Sequence, residues 1–497
     1  METHGRVPTP AEVSPLARAP AFALLSTLCA FLVFREDMSF AFISSAAMAV
    51  ALSAGWYLLG AGFANERSLP VVCVLLLSAA LGLFVVDYGI SRSPLPQKLT
   101  DETGVVLSAR KWGYSNVALV KINSRGYLNF RSDKYVLRDT PENCPEPGDI
   151  VRFSGVTRPF RRADAPGDFD EFLYWKSKGA AAYLESANIS VVGKSRGISY
   201  FRAFLTSRAS RVLPPLTAGY ITASWTGEKD ANLSEFHRNA GTSHLLAVSG
   251  LHVGIVYGIF CFLLRRVKHK QYIISALIWT YVALSGASPS SVRAAVMLQM
   301  IIIGRMIGSP GNAFNTTCFA GSVMLATNPW LFWDVGWRLS VLSVLTLSSL
   351  ASTRMENGVK LLLASPAVWL VTSVQSSWTF GDVPMSGLVI NLFAVPAFAA
   401  LLPLASVLSM PSVLGFEFGI YPAGCAEFLF AAWERMSNNI TFLLPQKTSF
   451  SYPLLVCGAL TLVYLFANAC GFSHKKILVA EAVNIFCLCF LLYNVVI

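Results

Sequence analysis

The chain has 497 residues, of which 54% are hydrophobic and only 13% are charged, and its mean hydropathy is +0.53. Soluble domains carry roughly 25% charged residues, so this composition excludes an ordinary soluble protein and predicts an α-helical polytopic membrane protein. The formal net charge of +11 has two interpretations. Either the basic residues are those that keep loops in the cytoplasm, or they attract a polyanion.

Three hydrophobic segments open the chain, at residues 21–34, 40–61 and 69–90. They predict an N-terminal membrane domain of three helices over 1–90. The polar stretch before residue 20 is followed by an apolar run without a clear cleavage site, so the first helix is expected to be retained rather than removed as a signal peptide.

A polar segment follows over residues 91–202, with short alternating runs at 104–108, 117–122, 127–130, 134–137 and 150–155. Short strands separated by turn residues predict a small β-barrel of the OB type, although a small sandwich gives the same pattern. Cys144 is the one cysteine of the ten in this polar segment, and no cysteine pair has zinc-ligand spacing. We therefore expect no disulfide within this domain and no structural metal.

The polar segment contains 18 lysines and arginines against 12 aspartates and glutamates. Its densest cationic cluster lies close to two aromatic residues. Cations interleaved with aromatic rings are typical of a surface that binds single-stranded nucleic acid, whereas a solvated loop is the simpler interpretation. The candidate DNA-binding residues of this outer domain are Arg158, Phe160, Arg161, Arg162 and Trp175.

An amphipathic, interfacial linker is predicted over 203–241, and a second membrane domain over 242–497. Its apolar segments lie near 242–264, 271–286, 291–307, 313–326, 330–350, 361–379, 387–409, 413–440, 452–472 and 477–497, which brings the expected total to 11–13 membrane segments. The basic loop at 265–270 is expected in the cytoplasm under the positive-inside rule. Counting back from it places 91–202 outside and the N-terminus in the cytoplasm.

The second membrane domain begins with an unusual polar motif. His244, Ser249 and His252 stand where a membrane helix normally carries apolar residues, and polar groups in hydrocarbon usually face protein or a water-filled cavity. Gly250, Gly254 and Gly258 recur every four residues, which predicts close packing of one helix face against a neighbour. Further along, Arg293 is expected to face a polar cavity or to pair with Asp334 or Asp382.

The run from His244 to Val253, HLLAVSGLHV, resembles the signature of the ComEC family of competence proteins. Residues 288–297, 334–340 and 391–396 resemble further family segments in the same order. Arg338 stands where the family usually has glutamine.

This resemblance implies an inner-membrane channel that imports single-stranded DNA during natural transformation, without catalysis or cofactors in this chain. It also implies contact with membrane lipid, a periplasmic DNA receptor and a cytoplasmic helicase-like motor. The candidate residues of the DNA path are His244, Ser249, His252, Arg293, Asp334, Arg338 and Asn391. Many family members carry a metallo-β-lactamase-like domain, but none of the six histidines here follows its His-x-His-x-Asp-His pattern, so no nuclease is expected.

Three alternatives remain open from the residues alone. Ser249 and His252 are three positions apart on one helix and could form the dyad of an intramembrane hydrolase. A metal site at His237, His244 and His252 is disfavoured, because the last two are about 80° apart around an ideal helix. The same fold could instead transport another solute.

Overall fold

The computed structural model describes residues 25, 28, 29, 98–112, 115–122, 134–138, 145–163, 169–308, 313–353, 355–443, 448–449, 458–462 and 464–465. The predicted N-terminal helices therefore lie almost entirely outside the described residues. The same holds for Cys144, for the predicted strand at 127–130 and for most of the last two predicted membrane segments.

The polar segment forms a closed five-stranded barrel with the strand order β1-β2-β3-β5-β4. Its strands are β1 (Lys98–Trp112), β2 (Ser115–Ile122), β3 (Lys134–Leu137), β4 (Asp149–Arg158) and β5 (Ala180–Lys194). β3 and β5 are parallel, and the other pairs are antiparallel. The prediction of a small β-barrel is confirmed.

Alternating apolar residues of the strands point into the barrel and form its core. Val106, Val120, Val151 and Phe153 are almost fully buried there. Gly104 lets β1 approach β2 closely, since a Cβ at this position would lie 2.7 Å from the carbonyl oxygen of Lys121. The period-2 burial explains why four of these strands were visible in the sequence.

Two elements of this domain were not predicted. β5 begins with three alanines, which have low strand propensity, and yet it pairs with both β3 and β4. Helix α1 (Glu171–Ser177) precedes it and begins at Asp170, whose carboxylate accepts the Leu173 amide at 2.8 Å. Tertiary pairing therefore outweighs local preference in β5.

The stretch predicted as one interfacial linker is three helices, α2 (Ile198–Val212), α3 (Pro215–Thr226) and α4 (Ala231–Ala240). The middle helix α3 is a core helix, with nine of its twelve residues buried. Its N-terminus is capped by Glu427 of the later helix Ile420–Leu443, which accepts the amides of Leu216 at 3.1 Å and Thr217 at 2.7 Å. The linker thus belongs to the packed helical domain.

The rest of the described chain is helical and follows the predicted segments closely. The elements are α5 (Ser243–Leu246), α6 (Gly250–Leu263), α7 (Lys270–Leu284), α8 (Pro289–Met306), α9 (Ala313–Thr327), α10 (Val335–Ala351), α11 (Asn357–Phe380), α12 (Ser386–Leu414) and α13 (Ile420–Leu443), with a 3₁₀ turn at Pro329–Trp333 and a two-residue ribbon of β6 (Asp382–Val383) and β7 (Thr448–Ser449). Within the described residues, α11 and α12 are the helices long and apolar enough to cross a membrane.

Candidate functional site

The polar motif breaks what the sequence presents as one helix. Helix α5 ends after a single turn, Ala247 and Ser249 are extended, and α6 starts at Gly250. Ser249 is the N-cap of α6: its Oγ accepts the Leu251 amide at 3.3 Å, and the Nδ1 atom of His252 accepts the Ser249 amide at 3.3 Å. Together these bonds form a capping box, which satisfies amides that a helix start leaves without partners.

Ser249 and His252 are also within hydrogen-bond distance as side chains, with Oγ 3.1 Å from Nδ1. The same Nδ1 faces the Ser249 amide, so it is the acceptor nitrogen of the ring. The pair therefore has a structural role at the helix start, and this role accounts for the spacing that suggested a dyad.

Replacing Ser249 by asparagine separates these roles. Asparagine caps helices about as well as serine but is no nucleophile, so Ser249→Asn is expected to keep the thermal stability of the wild type. Ser249→Ala is expected to lose about 1 kcal/mol of the unfolding free energy. Thermal unfolding measures the stability of the variants, and labelling with a serine-directed covalent probe measures whether Ser249 is a nucleophile. Labelling of the wild type that disappears in Ser249→Ala would contradict the capping role and favour a hydrolase.

The three motif glycines are not equivalent. A Cβ at Gly250 would lie 3.6 Å from the Ala294 Cβ, so α6 and α8 are in contact there. At Gly254 and Gly258 a Cβ would meet no described atom within 4 Å. Among the described residues, Gly254 and Gly258 therefore have no neighbour against which the predicted close packing could occur.

Another pair of glycines makes the close approach that was expected of the motif. Gly241 has φ +72°, and a Cβ on it would lie 2.8 Å from the Cα of Gly387 on α12. Asn391, one turn along α12, donates from Nδ2 to the Gly241 carbonyl at 3.3 Å, and Ser386 donates to the Ala240 carbonyl at 3.3 Å. The start of α12 thus holds the turn that leads into the motif.

His237 fixes the other side of this turn. The ring is fully buried, with Nδ1 2.7 Å from the Thr242 hydroxyl and Nε2 2.9 Å from the Tyr220 hydroxyl. Both nitrogens are thereby engaged, whereas the nearby His244 side chain is exposed. No group of three or more His, Cys, Asp or Glu suited to a metal occurs among the described residues.

Arg293 on α8 is buried, with 4% of its surface exposed. Its predicted pairing with Asp334 or Asp382 is wrong. Instead the guanidinium donates to the backbone carbonyl of Ser340 on α10, and its Nε has no partner. Asp334 is not available to it, because that carboxylate is held elsewhere.

Asp334 joins the barrel to the helical domain. One carboxylate oxygen caps α10 by accepting the Trp337 amide at 2.9 Å, and the other accepts the Lys178 ammonium at 2.9 Å. Asn328 donates to the Ser177 carbonyl at 3.0 Å beside this ion pair. We call this contact the junction. Its two sides are α1 with the following Lys178, and residues 328–338. It fixes the orientation of the barrel relative to the helices.

Aromatic rings and cations alternate along the junction. Phe172 of α1 packs edge-on against Trp330, with ring centroids 5.2 Å apart. Arg162 lies 4.8 Å from the Phe172 centroid, and Lys178 lies 5.6 Å from that of Tyr174. On the helical side, Arg338 lies 5.3 Å from the Phe332 centroid; its Nε donates to the Phe332 carbonyl at 2.6 Å, and its Nη1 lies 3.5 Å from the Gln375 amide oxygen.

Lysines from both domains converge on the junction. Burial lowers the pKa of Lys134, and the charges of Lys121 and Lys178 lower it further. Desolvation lowers the pKa of Lys229, between α3 and α4, and the Lys178 charge adds to this shift. Burial also lowers the pKa of Lys176. Lys178 therefore lies close to two further lysines, Lys134 and Lys229, in addition to its partner Asp334.

The outer-domain prediction needs correction. Phe160 and Trp175 are 4% and 2% exposed, and their rings pack 6.2 Å apart under α1, so neither can stack on a base. Arg158 forms an exposed ion pair with Glu185 at 2.9 Å. Of the predicted cluster, Arg161 and Arg162 are exposed, and Arg162 lies at the junction. The half-buried aromatic rings at the junction are instead Phe172, Tyr174 and Trp330.

The helical domain matches a known family. The family model described as "Competence protein" covers residues 225–474, which is half of the chain. The chain belongs to the ComEC family of competence proteins. The matched region includes the broken motif, Arg293 and Asp334. Lys178 and the barrel lie outside it.

One curated relative supports this ComEC-family assignment. ComE operon protein 3 of Bacillus subtilis (strain 168) is 29% identical over 209 residues. The alignment covers 39% of this chain and 26% of the relative, so the chain spans about a quarter of that protein's length. No solved structure matches the chain.

Proposed function

We propose that this protein conducts single-stranded DNA across the inner membrane during competence DNA uptake. Membership in the ComEC family supports a role in competence. The barrel, which we assign to the OB type, would lie outside the membrane, and the basic loop at 265–270 would lie in the cytoplasm. A periplasmic DNA receptor and a cytoplasmic helicase-like motor are the partners that the family implies.

The junction is the observation that carries the proposal. The Lys134 ammonium donates to the Lys178 carbonyl at 3.2 Å, the Lys178 ammonium lies 5.6 Å from the Tyr174 ring centroid, and Trp330 packs against Phe172 of the same helix α1. Single strands bind where cations follow the backbone and aromatic rings accept bases. The Lys178–Asp334 ion pair fits this role, because a strand phosphate can replace the carboxylate as the partner of the lysine.

A single strand is the form of DNA that suits a path between packed helices. A duplex carries one negative charge about every 1.7 Å and is stiff over roughly 150 base pairs. A single strand is narrower and flexible, and it can be held by stacking and by Lys or Arg contacts.

Uptake and cross-linking test the proposal together. In a deletion strain complemented with the full chain, we expect import of labelled DNA, and we expect a photoreactive oligothymidine to cross-link at Tyr174 or Trp330. Lys178→Gln should lower the cross-linking yield several-fold, because it removes the central cation of the junction.

Arg152→Gln is the matched control, since Arg152 is an exposed cation of the same barrel on β4, paired with Asp101. It should cross-link like the wild type. DNA import that is equal with and without the protein would overturn the proposed function. Import of another solute in its place would favour the alternative transporter.

A further inference from the structure

The guanidinium of Arg293 is a buried cation without a carboxylate. No ion pair of Arg293 occurs in the described part of the chain, and its Nε has no hydrogen-bond partner. The bond to the Ser340 carbonyl satisfies one of its five N–H groups. Burying an unpaired charge is costly, so a buried cation without a carboxylate marks a candidate site where an anionic group can meet it.

The start of α6 lies directly against this cation. The Nη2 atom of Arg293 lies 3.6 Å from the point that a Cβ on Gly250, the first residue of α6, would occupy. Helix α6 has 14 residues, and the N-terminus of such a helix carries a partial positive charge and amide donors. Since Gly250 has no side chain, nothing of its own separates the helix start from the guanidinium.

We propose that Arg293 and the first turn of α6 form a phosphate-binding site. Resting on the proposed function, we infer that its ligand is a backbone phosphate of the passing strand. A guanidinium presents parallel N–H donors that match two phosphate oxygens, and the Gly250 amide, which the capping box does not use, lies at the helix start beside it. The site contacts the phosphate and not the bases, so it would bind strands of any sequence.

This assignment explains the polar motif and the serine-rich start of α8 together. Ser288 caps α8 and also donates to the Val248 carbonyl at 2.9 Å, which ties the extended part of the motif to the helix carrying Arg293. The capping box of Ser249 and His252 fixes the first turn of α6. Both devices hold the helix start and the guanidinium in one arrangement.

Oligonucleotides with and without backbone charge test the site on the full chain in nanodiscs. The probes are oligothymidine and the same sequence with neutral methylphosphonate linkages. Arg293→Gln is expected to weaken binding of the charged probe about tenfold, through loss of one charge-assisted contact, and to leave binding of the neutral probe unchanged. The slope of log affinity against log salt should become shallower by about 0.7, the value for one phosphate of a single strand.

Gly250→Ala is the second variant, because it keeps the charge and places a methyl group between the helix start and Arg293. Its contacts at 3.6 Å are ordinary van der Waals distances, so the variant should fold. We expect it to weaken binding of the charged probe several-fold. Gly254→Ala, one turn along α6 with no described atom within 4 Å, is the matched control and should bind like the wild type.

Unchanged binding of the charged probe in Arg293→Gln would overturn the site, as would equal losses for both probes. If Arg293→Gln does not fold, unchanged binding in Gly250→Ala overturns it. Failure of the proposed function looks different, because the wild type would then bind neither probe. If the wild type binds neither probe but binds pyrophosphate, and this binding is lost in Arg293→Gln, then Arg293 forms an anion site. The DNA strand would then be refuted as the ligand of that site.

Discussion

Gly241→Ala is expected to abolish DNA uptake by displacing the motif. The left-handed φ of +72° costs a non-glycine residue roughly 1–2 kcal/mol, and the new Cβ would lie 2.8 Å from the Gly387 Cα, where only backbone can give way. Helix α12 or the turn before α5 must shift to accept it. We expect a loss of more than about 3 kcal/mol in unfolding free energy, measured by thermal unfolding beside uptake of labelled DNA.

The control for this change is Gly258→Ala, since Gly258 lies in a regular helix with no described atom within 4 Å of a Cβ. It is expected to leave stability and uptake at the wild-type level. Normal uptake in Gly241→Ala would show that the contact between the turn and α12 has no bearing on transport.

His237→Phe is expected to destabilise the helical domain by about 2–4 kcal/mol. The substitution keeps an aromatic ring but removes the bonds to Thr242 and Tyr220, and it leaves the fully buried Thr242 hydroxyl without its partner. Tyr220 keeps its contact with Glu434 at 3.4 Å, so the loss centres on the turn before the motif. Chemical denaturation of the purified protein measures the change.

His269→Asn serves as the comparison, because His269 is exposed and has φ +56°, which asparagine tolerates. It should change the unfolding free energy by less than about 0.5 kcal/mol. Equal stabilities of His237→Phe and the wild type would mean that the buried bonds contribute nothing net.

Local patterns predicted most of the described fold. Apolar runs predicted α7 to α12 to within about five residues, whereas the predicted starts of α6 and α13 were seven or eight residues early; period-2 alternation predicted four of the five strands. β5 was missed because its alanines look unlike a strand, and its conformation comes from pairing with β3 and β4. The sequence predicts an interfacial stretch where the buried helix α3 lies, because its burial depends on α12 and α13, more than 150 residues away in the sequence.

The candidate site was predicted less completely, for a similar reason. Arg293, Asp334 and Asn391 stood out as polar residues in apolar segments, and each makes a defined contact. Lys178 was not singled out, because a lysine in a polar domain carries no signal until Asp334 is found beside it. Phe160 was chosen for its closeness to arginines in the sequence, which does not distinguish a core ring from a surface one.

The strand order of the barrel also constrains how this domain folds. β5 fills the gap between β3 and β4, so residues 98–158 leave two open strand edges until residue 194 has been synthesised. Open edges readily pair with other chains. Helix α2 begins only four residues after β5, so the strand that closes the barrel is followed directly by the helical domain, and a chain interrupted before residue 194 would carry both unpaired edges.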